Sequence, residues 1–176
     1  RMTPTMMDTQ LTLDWIAERA ERETRRVEIV SRRPDKSLAR TTYGEMIARA
    51  QRLARALVGA GVRKGDRVAT LMWNHAEHLE AYFGIPLAGG VLHTLNLRLP
   101  PEDIAYIATD AGDRMVIVDD CLLPLFEKII AAGANFERVL VVGAAGDGSY
   151  EQLLASAADV ALPVRAGTDA LGTCCT

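Results

Sequence analysis

The residues of this chain with the means to do chemistry are three histidines, a few closely set carboxylates and two runs of glycine. His75 and His78 stand in "NHAEHLE" with Glu77 and Glu80 between and after them. Such a group could hold a divalent cation, but a zinc helix needs histidines at i and i+4 and a further ligand, and neither is present. The expectation is a solvated face in the first turn of a helix. His93 opens "HTLNLRLPPED", followed by Thr94, Asn96 and Arg98. A lone histidine can serve as a base or a ligand. Beside a threonine and an asparagine it more often fixes a turn through side-chain to backbone bonds, which is the preferred reading. Asp119 and Asp120 end an apolar run and suit a loop cap. No histidine is set against a serine, cysteine or carboxylate in a way that names a nucleophile. No catalytic residue and no metal site are assigned.

The glycine runs are candidates for a phosphate cradle. "GAGVRKG" (Gly59 to Gly65) follows a helical pattern and precedes a strand pattern, the reverse of what amides aimed at a pyrophosphate require, so it reads as a turn. "GAAGDGS" (Gly143 to Ser149) does lie between strand and helix. Its spacing is not GxGxxG and Asp147 would repel phosphate, so a flexible surface loop is expected. Cys121, Cys174 and Cys175 make neither a disulfide framework nor a zinc site. The adjacent pair reads as small apolar residues of a buried strand, with reduced thiols and a cytoplasmic setting.

The elements that must position these groups follow from periodicity. "TLDWIAERAERETR" places Leu13, Ile16, Ala17 and Ala20 on one helical face, with Thr12 as its N-cap. "VEIVSR" and "LARTTY" flank the turn-formers of "RPDKS" as a β-hairpin. Thr42 and Glu45 form a capping box before a helix marked by Met46, Ile47, Ala50, Leu53, Ala54 and Leu57. Strand and helix then alternate. "RVATLMW" leads to a helix capped by Asn74 and Glu77, with Leu79, Tyr82 and Phe83 facing inward. "GVLHTLN" leads to "PPEDIAYIATDA", and "RMVIVDD" to "LLPLFEKIIAAG". "RVLVVG" leads to "SYEQLLASAA", with a Ser149–Gln152 box. The order implies successive βαβ units and an α/β fold on a parallel sheet, buried on both faces and preceded by a helix and a hairpin. The run "LGTCCT" stands where a further strand belongs.

Charged residues are 24% of the 176 and the formal net charge is −3, with the basic residues dispersed, which argues against nucleic acid as a partner. No apolar run reaches the ~18 residues of a membrane span, and the N-terminus has no signal-peptide pattern.

"TLMWNHAEHLEAYFGIPLAGGVLHTLNLRL" resembles the adenylate-forming acyl-CoA synthetases, in the medium- and long-chain fatty-acid–CoA ligase branch. "TMMDTQLTL", "EIVSR…RTTYGEM", "GVRKGDRVATL", "PEDIAYIATDAGDRMVIVDD" and "LLPLFEKI" fit the same branch in the same order, from Thr3 to Thr176. Leu97 departs from the proline many relatives carry. The resemblance implies a Rossmann-like parallel sheet, the first subdomain of the family's N-terminal domain, with residues 1–176 as a partial AMP-binding domain. In the family a strand like "ALGTCCT" runs into a Ser/Thr/Gly-rich loop that binds the ATP–Mg group, and Thr176 matches its first residue. His93, Thr94, Asn96 and Arg98 correspond to a structural loop of the branch. The implied reaction joins a fatty acid to coenzyme A with ATP and Mg²⁺, and homodimers occur in the family. The expectation is an N-terminal fragment that is inactive alone and binds these cofactors poorly. An aryl- or other acyl-CoA ligase and a free-standing α/β binding module are the alternatives.

Overall fold

Strand β3 (Arg67–Leu71) has four of its five residues buried, because helices cover both of its faces. It pairs in parallel with β4 (Val91–Thr94) on one side and β5 (Asp113–Asp119) on the other. With β6 (Arg138–Val142) and β7 (Gly172–Thr173) these make a five-stranded sheet, all parallel, ordered β6-β5-β3-β4-β7. The computed structural model describes residues 12–33, 35–143 and 150–173.

Two apolar layers sandwich the sheet. On one face α2 (Tyr43–Gly59), α3 (Ala76–Leu87) and α6 (Tyr150–Ala155) bring Leu53, Leu57, Ile85 and Leu153 against Val68, Leu92 and Ile117. On the other, α4 (Pro101–Ala111) and α5 (Leu123–Ala131) pack Ile104, Ala108, Phe126 and Ile129 on Ala69, Leu71, Val116 and Val118. Burial on both sides is why these strands read as unbroken apolar runs. Outside this body, α1 (Leu13–Glu23) and the antiparallel pair β1 (Glu28–Arg32) and β2 (Leu38–Thr42) share a smaller cluster. Ala17 and Ile29 meet Met46 and Ile47 of α2 there.

The expected elements are in place, including the reciprocal cap of α2. Glu45 N donates to Thr42 Oγ1 at 3.3 Å and Thr42 N donates to Glu45 Oε2 at 2.9 Å. Two expectations need correction. The N-cap of α3 is His75, with no side-chain cap bond, and not Asn74. Thr12 is the N-cap residue of α1 as expected, without a side-chain cap bond. Tyr82 faces outward at 44% exposed, because the buried stripe of α3 runs through His78, Ala81 and Ile85 and turns Tyr82 off it. Ser149, the Asp147 loop, Cys174, Cys175 and Thr176 lie outside the described residues.

Gly84 sets the approach of α3 to α2. A Cβ there would stand 2.7 Å from Leu53 Cδ2 and 3.0 Å from the Ala50 carbonyl oxygen. An exposed Gly→Ala change in a helix gains up to about 1 kcal/mol. Here overpacking reverses the sign, and Gly84→Ala is expected to lower stability by about 1–3 kcal/mol in urea denaturation. An unchanged or raised midpoint would show that the helices separate freely.

Candidate functional site

Ligands of open parallel sheets bind outside the carboxyl ends of the strands, where neighbouring strands lead off in opposite directions. In this chain β3 and β5 are those neighbours. β3 continues through α3 on one face to β4, and β5 continues through α5 on the other face to β6. Their carboxyl ends therefore frame the crevice of the fold.

A buried ionic cluster occupies it. Asp119, the last residue of β5, accepts the Trp73 backbone N–H at 2.8 Å, just past the end of β3. His75 Nε2 lies 2.9 and 3.0 Å from the two Asp119 oxygens, and its Nδ1 is 2.9 Å from Glu77 Oε2. The side chains of His75 and Asp119 are each only 3% exposed. Burial alone would lower the pKa of His75, but the carboxylates of Asp119 and Glu77 outweigh it and raise it to about 9. The ring is thus an imidazolium at neutral pH, donating from both nitrogens. Its charge in turn holds the Glu77 carboxyl below the ordinary range, against the opposing effect of burial.

His78 takes the opposite state. Burial lowers its pKa, so it is neutral. Nδ1 faces the Trp73 carbonyl at 3.1 Å and must carry the proton, which leaves Nε2 to accept from Thr70 Oγ1 at 3.0 Å. The backbone of Trp73 is therefore gripped at its N–H by Asp119 and at its carbonyl by His78, while the residue remains 49% exposed. Cys121, exposed in the turn after β5, has its thiol pKa raised by burial and by Asp119 and Asp120, the wrong direction for a nucleophile.

The expectation of solvated His75 and His78 is overturned: they are 7% and 6% exposed, because His75 turns in to Asp119 at the end of β5 and His78 turns in to Thr70 of β3. Asp119 likewise is no loop cap. His93 is not in a turn; it lies inside β4, fully buried, with Nδ1 at 2.8 and 3.0 Å from the oxygens of Asp113. Its Nε2 has no hydrogen-bond partner among the described residues. Thr94 ends β4, and Asn96 makes the expected turn, its Oδ1 accepting the Arg98 N–H at 3.0 Å. The structure thus separates His93 from the loop holding Asn96 and Arg98, both exposed, and the position of Thr176 is outside the described residues. Missing from the sequence reading were both histidine–aspartate pairs. For His75 and Asp119 the usable signal was a histidine just past one strand and an aspartate closing another, since parallel strands bring their carboxyl ends to one edge; His93 inside β4 and Asp113 at the start of β5 carry no such signal. No group of three or more His, Cys, Asp or Glu side chains suited to a metal ion occurs among the described residues.

The raised pKa of His75 predicts a pH dependence of stability. With a folded value of about 9 against an ordinary 6.5, its contribution is complete below about pH 6.5 and is lost as pH rises toward 9. Glu77, with a depressed pKa, acts in the other sense and loses its contribution as pH falls below its ordinary 4.5. The His75 share is on the order of 3 kcal/mol. Asp119→Asn is expected to bring the NMR-titrated pKa of the His75 ring down by more than one unit. A wild-type ring that titrates at or below 6.5 would refute the ionic assignment.

Comparison with known proteins agrees with this architecture. A family model described as "AMP-binding enzyme" matches residues 16–170. A long-chain-fatty-acid–CoA ligase of Thermus thermophilus is 46% identical over 92% of this chain. A 3-methylmercaptopropionyl-CoA ligase of Ruegeria lacuscaerulensis is 35% identical over 84% of it. The chain spans 31% and 28% of the lengths of these two relatives. Among solved structures, a Mycobacterium tuberculosis fatty acyl CoA synthetase superposes over 91% of this chain and 31% of its own, with a TM-score of 0.75 and 28% identity. A match from residue 16 to residue 170, with the same parallel sheet, places this chain in the AMP-binding, adenylate-forming enzyme family.

Proposed function

We propose that the chain is the N-terminal part of an ATP-dependent fatty-acid–CoA ligase. Such an enzyme joins a fatty carboxylate to the α-phosphate of ATP with loss of pyrophosphate. The thiol of coenzyme A then displaces AMP to give the thioester. The observation that carries this reading is the 46% identity, over 92% of the chain, to the Thermus long-chain ligase.

The described residues do not fit a triphosphate with its Mg²⁺. Among the described residues the buried cation at the crevice, His75, is committed to Asp119 and Glu77, and Asp120 adds a further negative charge beside them. An oxyanion site needs donors free to turn toward the ligand. In this reading ATP, Mg²⁺ and coenzyme A are bound by parts of the enzyme beyond the third of its length that this chain spans, starting with the loop that Thr176 would open. The segment from His93 to Arg98 shapes the edge of the sheet next to that loop, and the residues of this chain supply a rigid wall rather than reacting groups. The cytoplasmic setting and a homodimer belong to the same proposal.

The test is fatty-acid-dependent exchange of pyrophosphate into ATP. A protein that continues this chain through the phosphate loop is expected to show it with long-chain acids, and the 176-residue chain alone to show none. Exchange driven by benzoates but not by fatty acids would replace the reading with an aryl-acid ligase. Exchange by the short chain alone would overturn the placement of the reacting groups.

A further inference from the structure

His93 and Asp113 form a second buried pair, apart from the cluster around His75. Both side chains are 0% exposed, and His93 Nδ1 lies 2.8 and 3.0 Å from the two Asp113 oxygens. A skipped residue in the sheet makes this contact. Arg67 of β3 stands opposite Asp113, but Val68 stands opposite Met115, which leaves Arg114 as the extra residue. In an unbroken strand Asp113 and Met115 would point to the same face. Met115 packs in the layer beneath α2 and α3, whereas His93 stands opposite Ala69, on the face covered by α4 and α5. The bulge turns Asp113 off the face of Met115 and onto that of His93.

Stability does not account for a histidine here. Its Nε2 is buried without a hydrogen-bond partner among the described residues, and an unsatisfied polar atom costs stability that an apolar side chain would not. Departures of this kind from the rules of packing gather at functional sites. The element beside His93 is β7. Gly172 and Thr173 pair with Leu92 and His93 and, among the described residues, with no other strand. Leu92 N donates to the Leu171 carbonyl at 2.9 Å, and a Cβ on Gly172 would stand 3.1 Å from the Leu92 carbonyl oxygen, so β7 lies tight against β4. On one side β4 is tied through His93 to β5. On the other it carries the strand that leads, three residues on, to Thr176.

We propose that His93 and Asp113 are positioning residues for ATP: their bond ties β4 across β3 to β5, and β4 in turn sets where β7 delivers the phosphate loop that Thr176 opens. Neither residue touches the nucleotide. The proposal rests on the ligase reading for the identity of that loop.

The test uses the protein that continues this chain through the full length of a ligase, assayed by ATP–pyrophosphate exchange. His93→Leu combined with Asp113→Asn removes the bond and leaves no buried charge. The double variant is expected to raise the KM for ATP about tenfold, through a small misplacement of the loop, and to leave the KM for fatty acid within about twofold. Asp113→Asn alone, which can still accept from Nδ1, is expected to keep most of the ATP affinity. Gly84→Ala, destabilising through the other face of the sheet, is expected to leave the KM for ATP unchanged, since lost stability alone reduces only the amount of active enzyme. The ring itself gives a readout that needs no turnover. With nitrogen-15 histidine, the Nδ1 proton of His93, identified by its shift in Asp113→Asn, is expected to move on addition of Mg-ATP and not of fatty acid. Where the double variant does not fold, that resonance decides alone. An unchanged KM for ATP in the folded double variant, or an Nδ1 proton indifferent to Mg-ATP, would end the positioning role and leave the ligase reading standing. A wild type that exchanges with no acid at all would end both.

Discussion

The structure depends on one positive charge held where two strands part. His75 reaches from just past the end of β3 to the last residue of β5 and is matched on its other nitrogen by Glu77. Placing these charges away from water is costly, and their mutual attraction offsets that cost only while the geometry is complete. Loss of one partner leaves the others uncompensated. The cluster therefore behaves as an all-or-none clamp, and its main consequence is positional. Backbone that would otherwise diverge at the crevice is tied across it, and Trp73 is held by both its N–H and its carbonyl.

That clamp explains why the chain's histidines read so poorly as reacting groups. All three are spent on architecture: His75 on two carboxylates, His78 on a hydroxyl and a carbonyl, His93 on Asp113 beneath the sheet surface.

The strands, the hairpin and the cap of α2 were legible in the sequence because their signals are local. The Thr42–Glu45 box spans three residues, and the runs "RVATL" and "RMVIVD" announce strands buried on both faces. The buried polar pairs were not legible, because each joins residues far apart: 44 positions for His75 and Asp119, 20 for His93 and Asp113. Nothing within "NHAEHLE" distinguishes a solvated turn from one packed beneath a hairpin. The deciding facts lie elsewhere in the chain: His75 meets Asp119 at the end of β5, His78 meets Thr70 of β3, and Leu79 and Phe83 of α3 pack with Ala17 of α1 and Ile29 of the hairpin.

Glu80 shows the same constraint at work in the helical layer. A glutamate two residues after His78 looks solvent-facing, yet it is 3% exposed. Its Oε1 accepts from Arg49 Nε at 2.6 Å and its Oε2 accepts from the Tyr150 hydroxyl at 2.8 Å, across 31 and 70 positions of sequence. Burial raises its pKa, while Arg49 and Tyr150 pull toward the ionised form. Arg49 also reaches Glu151, so one guanidinium links α2, α3 and α6. Since α6 follows the loop after β6, this link fixes one bank of the carboxyl edge as His75 fixes the other. An apolar layer alone could let short helices slide over the sheet. Directional bonds at Glu80 and at Asp119 restrict α3 at two points along its length, and it is this double restraint that gives the crevice a defined shape.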